Sequence, residues 1–91
     1  MQPPKKLDFS ELAKRQLNAL PHAENQEALL LLRQIASNKI GHATKDAERA
    51  AYGLPDSALL ATRVVAKGNI LFIYFEYTAE NTVIVWRVVC S

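Results

Sequence analysis

Four side chains in the second half of the chain have the chemistry to bind an anion or to move a proton. They are Arg63, Lys67, Tyr74 and Arg87. Guanidinium and ammonium groups bind phosphate oxygens, and a phenol can stack on a base or exchange a proton. Each of the four lies in or beside a segment rich in Val, Ile, Phe and Tyr. Whether the side chain can reach a ligand therefore depends on which face of that segment it occupies.

Those segments have the alternation of β-strands. Residues 58–67, 69–77 and 82–90 are rich in β-branched and aromatic residues, and the connections between them are only a few residues long. Connections of that length suit antiparallel hairpins. The pattern predicts a three-stranded antiparallel meander.

The alternation also assigns side chains to faces of the sheet. We expect Leu71, Ile73 and Phe75 to point toward the helices. The opposite face is then expected to carry the polar side chains, namely Arg63, Lys67, Tyr74, Glu76 and Arg87. Such a face could hold phosphates and stack a base. Equally, Glu76 could pair with Arg63 or Arg87 across the sheet, which would make the same charges structural.

Two helices precede the meander. Ser10 is a good N-cap for a helix that ends at Pro21, and Leu17 and Leu20 share its apolar face with Ala13. A second helix runs from residue 23 or 24 to about residue 38. Its apolar stripe has the i, i+3, i+4, i+7 spacing and consists of Ala28, Leu31, Leu32 and Ile35. Leu29 and Leu30 widen this stripe, and they either extend the core or contact a partner protein.

The remaining segments complete the predicted fold. Residues 6–9 form a short extended stretch that is the candidate for a fourth strand, and residues 39–57 form a short helix, with a cap at Thr44, or an ordered loop. The predicted order is strand-helix-helix followed by the three-stranded antiparallel meander. It describes an α+β, two-layer fold in which residues 1–91 form a single domain.

Composition narrows the classes of function. The net charge of +2 is weak support for a nucleic-acid partner. His22 and His42 have no matching ligands nearby in the sequence, Cys90 is the only cysteine, and no phosphate-binding or dinucleotide motif occurs. We therefore expect no metal and no cofactor. The sequence also has no membrane span or signal peptide, so we expect a cytoplasmic protein with no membrane partner.

Several segments together resemble the RelE/ParE superfamily of bacterial toxins. Residues 7–20 are similar to the strand that leads into the first helix of that family. Gly-Leu-Pro-Asp at 53–56, the basic strand after it, Lys67-Gly68, the aromatic strand and the valine-rich last strand resemble its second half. The resemblance covers nearly the whole chain, and residues 39–52 look like an insertion.

The resemblance implies the toxin of a type II toxin–antitoxin system, neutralised by a cognate antitoxin. In the RelE branch such toxins are ribosome-dependent mRNA interferases, whereas the ParE branch is associated with DNA gyrase. The implied catalytic residues are Arg63, Arg87 and Tyr74, and the implied RNA-binding or phosphate-binding residues are Lys67 and Arg63. The expected partners are therefore an antitoxin, with the ribosome and mRNA or with gyrase.

The sequence departs from the RelE branch at two places. That branch has an arginine near the position of Asn69 or Ile70, and an arginine and an aromatic residue after the last strand, where this sequence has reached Ser91. Cleavage of RNA would then depend on Arg87, Tyr74 or Lys67. Two other functions remain open: a catalytically inactive relative that acts as a protein-binding module, and a metal-free RNA-binding domain, which the small net charge disfavours.

Overall fold

The strands that the structure describes lie in one five-stranded sheet. The computed structural model describes residues 4–38 and 40–91. The strands are β1 (Lys6–Phe9), β2 (His42–Ala43), β3 (Leu59–Val64), β4 (Ile70–Tyr77) and β5 (Thr82–Cys90). Their order across the sheet is β1-β5-β4-β3-β2. The strand β1 runs parallel to β5, and every other pair is antiparallel.

Three helices accompany the sheet: α1 (Glu11–Ala19), α2 (His22–Ser37) and α3 (Asp46–Tyr52). The predicted N-cap of α1 is confirmed, because Ser10 Oγ accepts a hydrogen bond of 3.0 Å from the amide of Ala13. The predicted stripe of α2 is also confirmed, since Ala28, Leu31, Leu32 and Ile35 are all buried. The two helices cover one face of the sheet.

The core lies between these helices and the sheet. Leu71, Ile73 and Phe75 are fully buried there, as the alternation predicted. The Tyr77 hydroxyl fixes the chain after α2, because it lies 3.0 Å from the carbonyl of Ile35 and accepts from the amide of Ile40 at 3.1 Å. Tyr77 thus fixes to β4 the segment that leads from α2 back to the sheet.

Two predicted details, the number of strands and the cap at Thr44, are wrong, whereas the early strand and the short helix before the meander are confirmed. The sheet has five strands, because the two-residue β2 is too short to leave a pattern in the sequence. Residues 46–52 form a true helix, and its N-cap is Lys45, whereas Thr44 is buried and donates to the carbonyl of Ala58 at 2.9 Å. Leu29 and Leu30 are exposed, so they do not extend the core.

The helix α3 lies on the face of the sheet opposite α1 and α2. Its Tyr52 contacts Tyr74 and Arg87, whose side chains point away from the core. We call this face the open face. It includes the outward side chains of β3, β4 and β5, among them Leu60, Thr62, Val64, Ile70, Phe72, Tyr74, Glu76, Ile84, Trp86, Arg87 and Val89. The helices therefore do not form a single layer.

Candidate functional site

Tyr74 and Arg87 lie side by side on the open face. They are direct partners in the antiparallel pairing of β4 and β5, and directly opposed residues have their Cβ atoms about 5 Å apart. The sequence placed both residues on this face, and the structure confirms that placement. This pair forms the centre of the candidate site.

A β-bulge turns Arg87 toward the open face. Phe75 pairs with Val85 and Tyr74 pairs with Arg87, so that Trp86 is the extra residue in β5. Val83 and Val85 point into the core on one side of the bulge, and Val88 does so on the other. Strict alternation along β5 would place Val83 and Val85 on the same face as Arg87, but the bulge shifts the alternation by one residue.

The N-cap of α1 and one side chain within that helix satisfy the polar backbone groups at this bulge. Ser10 Oγ donates a hydrogen bond of 2.9 Å to the carbonyl of Trp86, and Gln16 Oε1 accepts one of 2.8 Å from the amide of Val88. These two groups flank Arg87 in the chain. Ser10 and Gln16 are thus positioning residues that hold the backbone on both sides of Arg87.

The hydroxyl of Tyr74 is bonded to α3. It donates a hydrogen bond of 2.9 Å to Glu48 Oε2. Burial, together with this contact to Glu48, raises the pKa of Tyr74 above its usual range. The pKa of Glu48 is lowered, first because its carboxylate accepts from the amide of Lys45 and then because it accepts from Tyr74. Near neutral pH Tyr74 therefore keeps its proton and donates a hydrogen bond, and Glu48 is an ionised acceptor.

Arg87 packs against an aromatic ring of the same helix. Its guanidinium carbon lies 4.3 Å from the centre of the Tyr52 ring, a cation–π contact. Among the residues that the structure describes, Arg87 Nε is buried without a hydrogen-bond acceptor. A cleft of about 280 Å³ opens beside the Tyr52 and Tyr74 rings and is lined by Tyr52, Phe72, Tyr74, Val89 and Ser91. The site thus combines an aromatic cleft with a guanidinium that the same two tyrosines contact.

Arg63 does not join this pair. It is the partner of Leu71 in the β3–β4 pairing and forms an ion pair with Glu27 of α2. Its face is therefore the helix face, and the prediction that Arg63 and Arg87 share one surface is wrong. The physical reason is the burial of Ala61 and Val65, which have the same parity as Arg63 and fix that side of β3 against the core.

Lys67 also lies apart from the pair. It occupies the short 3₁₀ turn between β3 and β4 (Ala66–Gly68), where it is exposed and has a positive φ of 65°. The four residue steps from Ile70 to Tyr74 alone span roughly 13 Å of extended strand. The structure therefore brings together Tyr74 and Arg87 and separates Arg63 and Lys67 from them.

Glu76 does not pair with either arginine. It accepts hydrogen bonds from Ser57 Oγ and from Trp86 Nε1, the latter at 3.1 Å. The alternative of a cross-strand ion pair from Glu76 to Arg63 or Arg87 is therefore wrong. The carboxylate instead fixes the Trp86 ring of the bulge on the open face.

Other candidate chemistry finds no assembled site. His22 and His42 are both exposed, and the ranges 4–38 and 40–91 contain no cluster of His, Cys, Asp or Glu suited to a metal ion. Burial raises the pKa of the Cys90 thiol, which makes it a poor nucleophile at neutral pH. None of the helices in the described part of the chain is long and apolar enough to cross a bilayer.

The sequence reasoning missed the contribution of α3. Glu48 and Tyr52 both contact the central pair, yet they lie in the segment interpreted as an insertion. Their i, i+4 spacing places them on one face of a helix, and that signal was available. The sequence did not predict which face of the sheet α3 covers, because this depends on the pairing of β2 and on the bulge in β5.

The fold is similar to known structures of toxin–antitoxin complexes. A chain of the intact E. coli RelBE toxin–antitoxin complex matches with a TM-score of 0.63 and 18% identity, over 92% of this chain and 93% of that chain. A chain of the RelBE2 toxin–antitoxin complex from Mycobacterium tuberculosis matches with a TM-score of 0.62 and 17% identity, over 100% of this chain and 95% of that chain.

These matches define the class of fold. The chain shares its α+β fold with these chains from RelBE toxin–antitoxin complexes, in agreement with the resemblance found in the sequence. No family model matches the sequence, and no curated protein matches it either. The likeness is thus one of three-dimensional structure.

Proposed function

We propose that this chain is the toxin of a type II toxin–antitoxin pair and that it inhibits growth in the cytoplasm by ribosome-dependent cleavage of mRNA. The observation that carries the proposal is the match of nearly the whole chain to chains from two RelBE complexes. The cross-strand pair of Tyr74 and Arg87 on the open face supports RNA as the target, because these groups suit phosphate binding and proton transfer.

The site suggests a division of roles in that reaction. The ribose 2′-hydroxyl attacks the phosphorus and loses its proton to water while the bond to the 5′-oxygen breaks, and Arg87 would stabilise the negative charge that builds on the phosphate. Tyr74 keeps its proton near neutral pH. The leaving 5′-alkoxide is a stronger base than the Tyr74 phenolate, so Tyr74 would donate its proton to that oxygen and regain one from water. We assign Lys67 to a phosphate further along the RNA. Arg63 is paired with Glu27 on the helix face, and we assign it to stabilising the fold.

The proposal is tested by inducing the chain with and without the product of its adjacent small open reading frame. Growth should stop only when the chain is alone, and transcript ends mapped in the arrested cells should fall within codons. Arg87→Ala should abolish the arrest, whereas Arg15→Ala, at an exposed position of α1, should leave it intact. Relaxed plasmid DNA without new transcript ends would instead identify gyrase as the target.

We assign the binding of the antitoxin to the edge of the sheet at β1. The strand β1 has β5 as its neighbour on one side, and Lys6 and Ser10 direct their amides toward β5. The alternating backbone groups of Leu7 and Phe9 then face outward and can pair with an added strand.

A groove runs between β1 and α2 along this edge. Its volume is about 490 Å³, and its lining is mainly apolar, with two cations: Pro4, Lys5, Leu7, Phe9, Leu29, Leu32, Arg33 and Ala36. We assign this groove to an extended antitoxin segment with alternating apolar residues and acidic residues opposite Lys5 and Arg33. We call it the edge groove.

A second candidate function rests on two exposed leucines of α2. Leu29 and Leu30 of α2 are exposed, as expected for a protein-binding surface. A catalytically inactive relative that acts as a protein-binding module would use this surface without the Tyr74–Arg87 pair. It predicts a stable complex with the adjacent gene product, no growth arrest in the test above, and no new transcript ends.

A further inference from the structure

Both members of the central pair are covered by α3. The Tyr52 ring lies 4.3 Å from the guanidinium carbon of Arg87 and 5.4 Å from the ring centre of Tyr74. Glu48 accepts the hydroxyl proton of Tyr74 in a hydrogen bond of 2.9 Å. Tyr74 is only 4% exposed as a result, although it lies on the face without α1 and α2. An approaching phosphate or base meets α3 first.

The helix α3 is held by few contacts with the rest of the fold. None of its seven residues is buried, and Tyr52 itself is 39% exposed. Arg49 bonds within the same segment, to Thr44 and Asp46. The buried anchor is Thr44, which donates to the carbonyl of Ala58 and lies before the helix begins. The helix can therefore leave the open face without disturbing the core.

The groups that α3 covers are matched to a nucleic-acid ligand. Arg87 Nε is a buried donor without an acceptor in the described ranges, and a phosphate oxygen is the acceptor that a guanidinium binds best. Tyr52 stacks on the guanidinium as a base would, and Glu48 places a carboxylate oxygen on Tyr74 where a phosphate oxygen would bind. These two side chains thus imitate parts of the ligand.

We propose that α3 is an autoinhibitory lid, whose Tyr52 and Glu48 occupy the positions of a base and a phosphate until RNA displaces them. The identity of the ligand rests on the proposed function, whereas the lid itself rests on the contacts of α3 alone. Only molecules with an open lid can bind the ligand, so the apparent affinity is the intrinsic affinity multiplied by the open fraction. Loss of its contacts should therefore tighten binding.

The test compares Tyr52→Ala with Tyr52→Phe, which keeps the ring over Arg87. The first readout is the affinity for a 2′-O-methyl oligoribonucleotide, which cannot be cleaved by its own 2′-hydroxyls. We expect Tyr52→Ala to bind roughly five- to tenfold more tightly than the wild type, and Tyr52→Phe to match the wild type. The second readout is modification of Arg87 by phenylglyoxal, measured by mass spectrometry, with exposed Arg15 as the internal reference. It should rise only in Tyr52→Ala.

The two readouts separate the lid from the proposed function. Higher reactivity of Arg87 without binding of the oligoribonucleotide by any variant would support the lid and overturn RNA as the ligand. Unchanged reactivity and affinity in Tyr52→Ala would overturn the lid. Weaker binding by Tyr52→Ala would also overturn it, because Tyr52 would then hold the RNA. Circular dichroism verifies that the variants fold.

Discussion

At the scale of single residues, the orientation of Arg87 depends on side chains that lie far from it in sequence. Ser10 caps α1 and also donates to the carbonyl of Trp86, so one hydroxyl fixes both the start of a helix and the bulge before Arg87. Gln16 accepts a hydrogen bond from the amide of Val88 and so fixes the backbone after Arg87. The helix and the bulge therefore stabilise each other, and a mutation that disrupts either of them should displace Arg87.

Ser10→Ala should lower the free energy of unfolding by about 2 kcal/mol, since an N-cap contributes about 1 kcal/mol and the carbonyl of Trp86 loses a bond of similar value. Urea denaturation measures the change. The matched control is Ser37→Ala, at an exposed position at the end of α2, which should stay within about 0.5 kcal/mol of the wild type. Equal losses in the two variants would contradict the double role of Ser10.

At the scale of elements, the chain between α2 and β2 passes very close to the core. Gly41 has a φ of +114°, and a Cβ at this position would lie 2.8 Å from Cζ of Phe75. The Phe75 ring is fully buried and cannot yield. Glycine is therefore required where the chain turns into β2, the strand that leads to α3.

Gly41→Ala should destabilise the protein by about 2 kcal/mol or more, because strain at positive φ adds to the overlap with the ring. Gly68→Ala is the control. Gly68 also has a positive φ, of 75°, but its added Cβ would have no atom within 4 Å. We expect that control to lose only roughly 1 kcal/mol. Thermal or urea unfolding of both variants measures the difference, and similar losses would contradict the close approach to Phe75.

At the scale of the whole molecule, our proposals assign different functions to the two faces of the sheet. The face under α1 and α2 contains the core, and its edge forms the edge groove for the antitoxin. The open face carries Tyr74 and Arg87 under α3. An antitoxin in the edge groove need not touch the central pair, so binding and catalysis can be separated by mutation.

Leu29→Glu should weaken binding of the adjacent gene product at least tenfold, roughly the loss expected from a central apolar contact of an interface. Leu30→Glu is a closely matched control, since the two leucines are 44% and 43% exposed on the same helix but only Leu29 lines the edge groove. Isothermal titration calorimetry compares the variants. Equal effects at both positions would place the antitoxin elsewhere on α2.

Local patterns in the sequence determined most of the elements. The N-cap at Ser10, the buried stripe of α2 and the alternation of Leu71, Ile73 and Phe75 are all short-range features, and the structure confirms each of them. They follow from hydrogen bonding and burial within one helix or strand, so the sequence alone carries them. The assignment of residues 1–91 to a single domain stays a prediction.

Only the tertiary structure decided which charges meet. The bulge at Trp86 reverses the alternation of β5 before Arg87, and burial of Ala61 and Val65 turns Arg63 to the helix face. The contacts of Tyr52 and Glu48 likewise require α3 to cross the open face. Each outcome depends on pairing between segments distant in sequence, and the period of one strand contains no information about the register of the next.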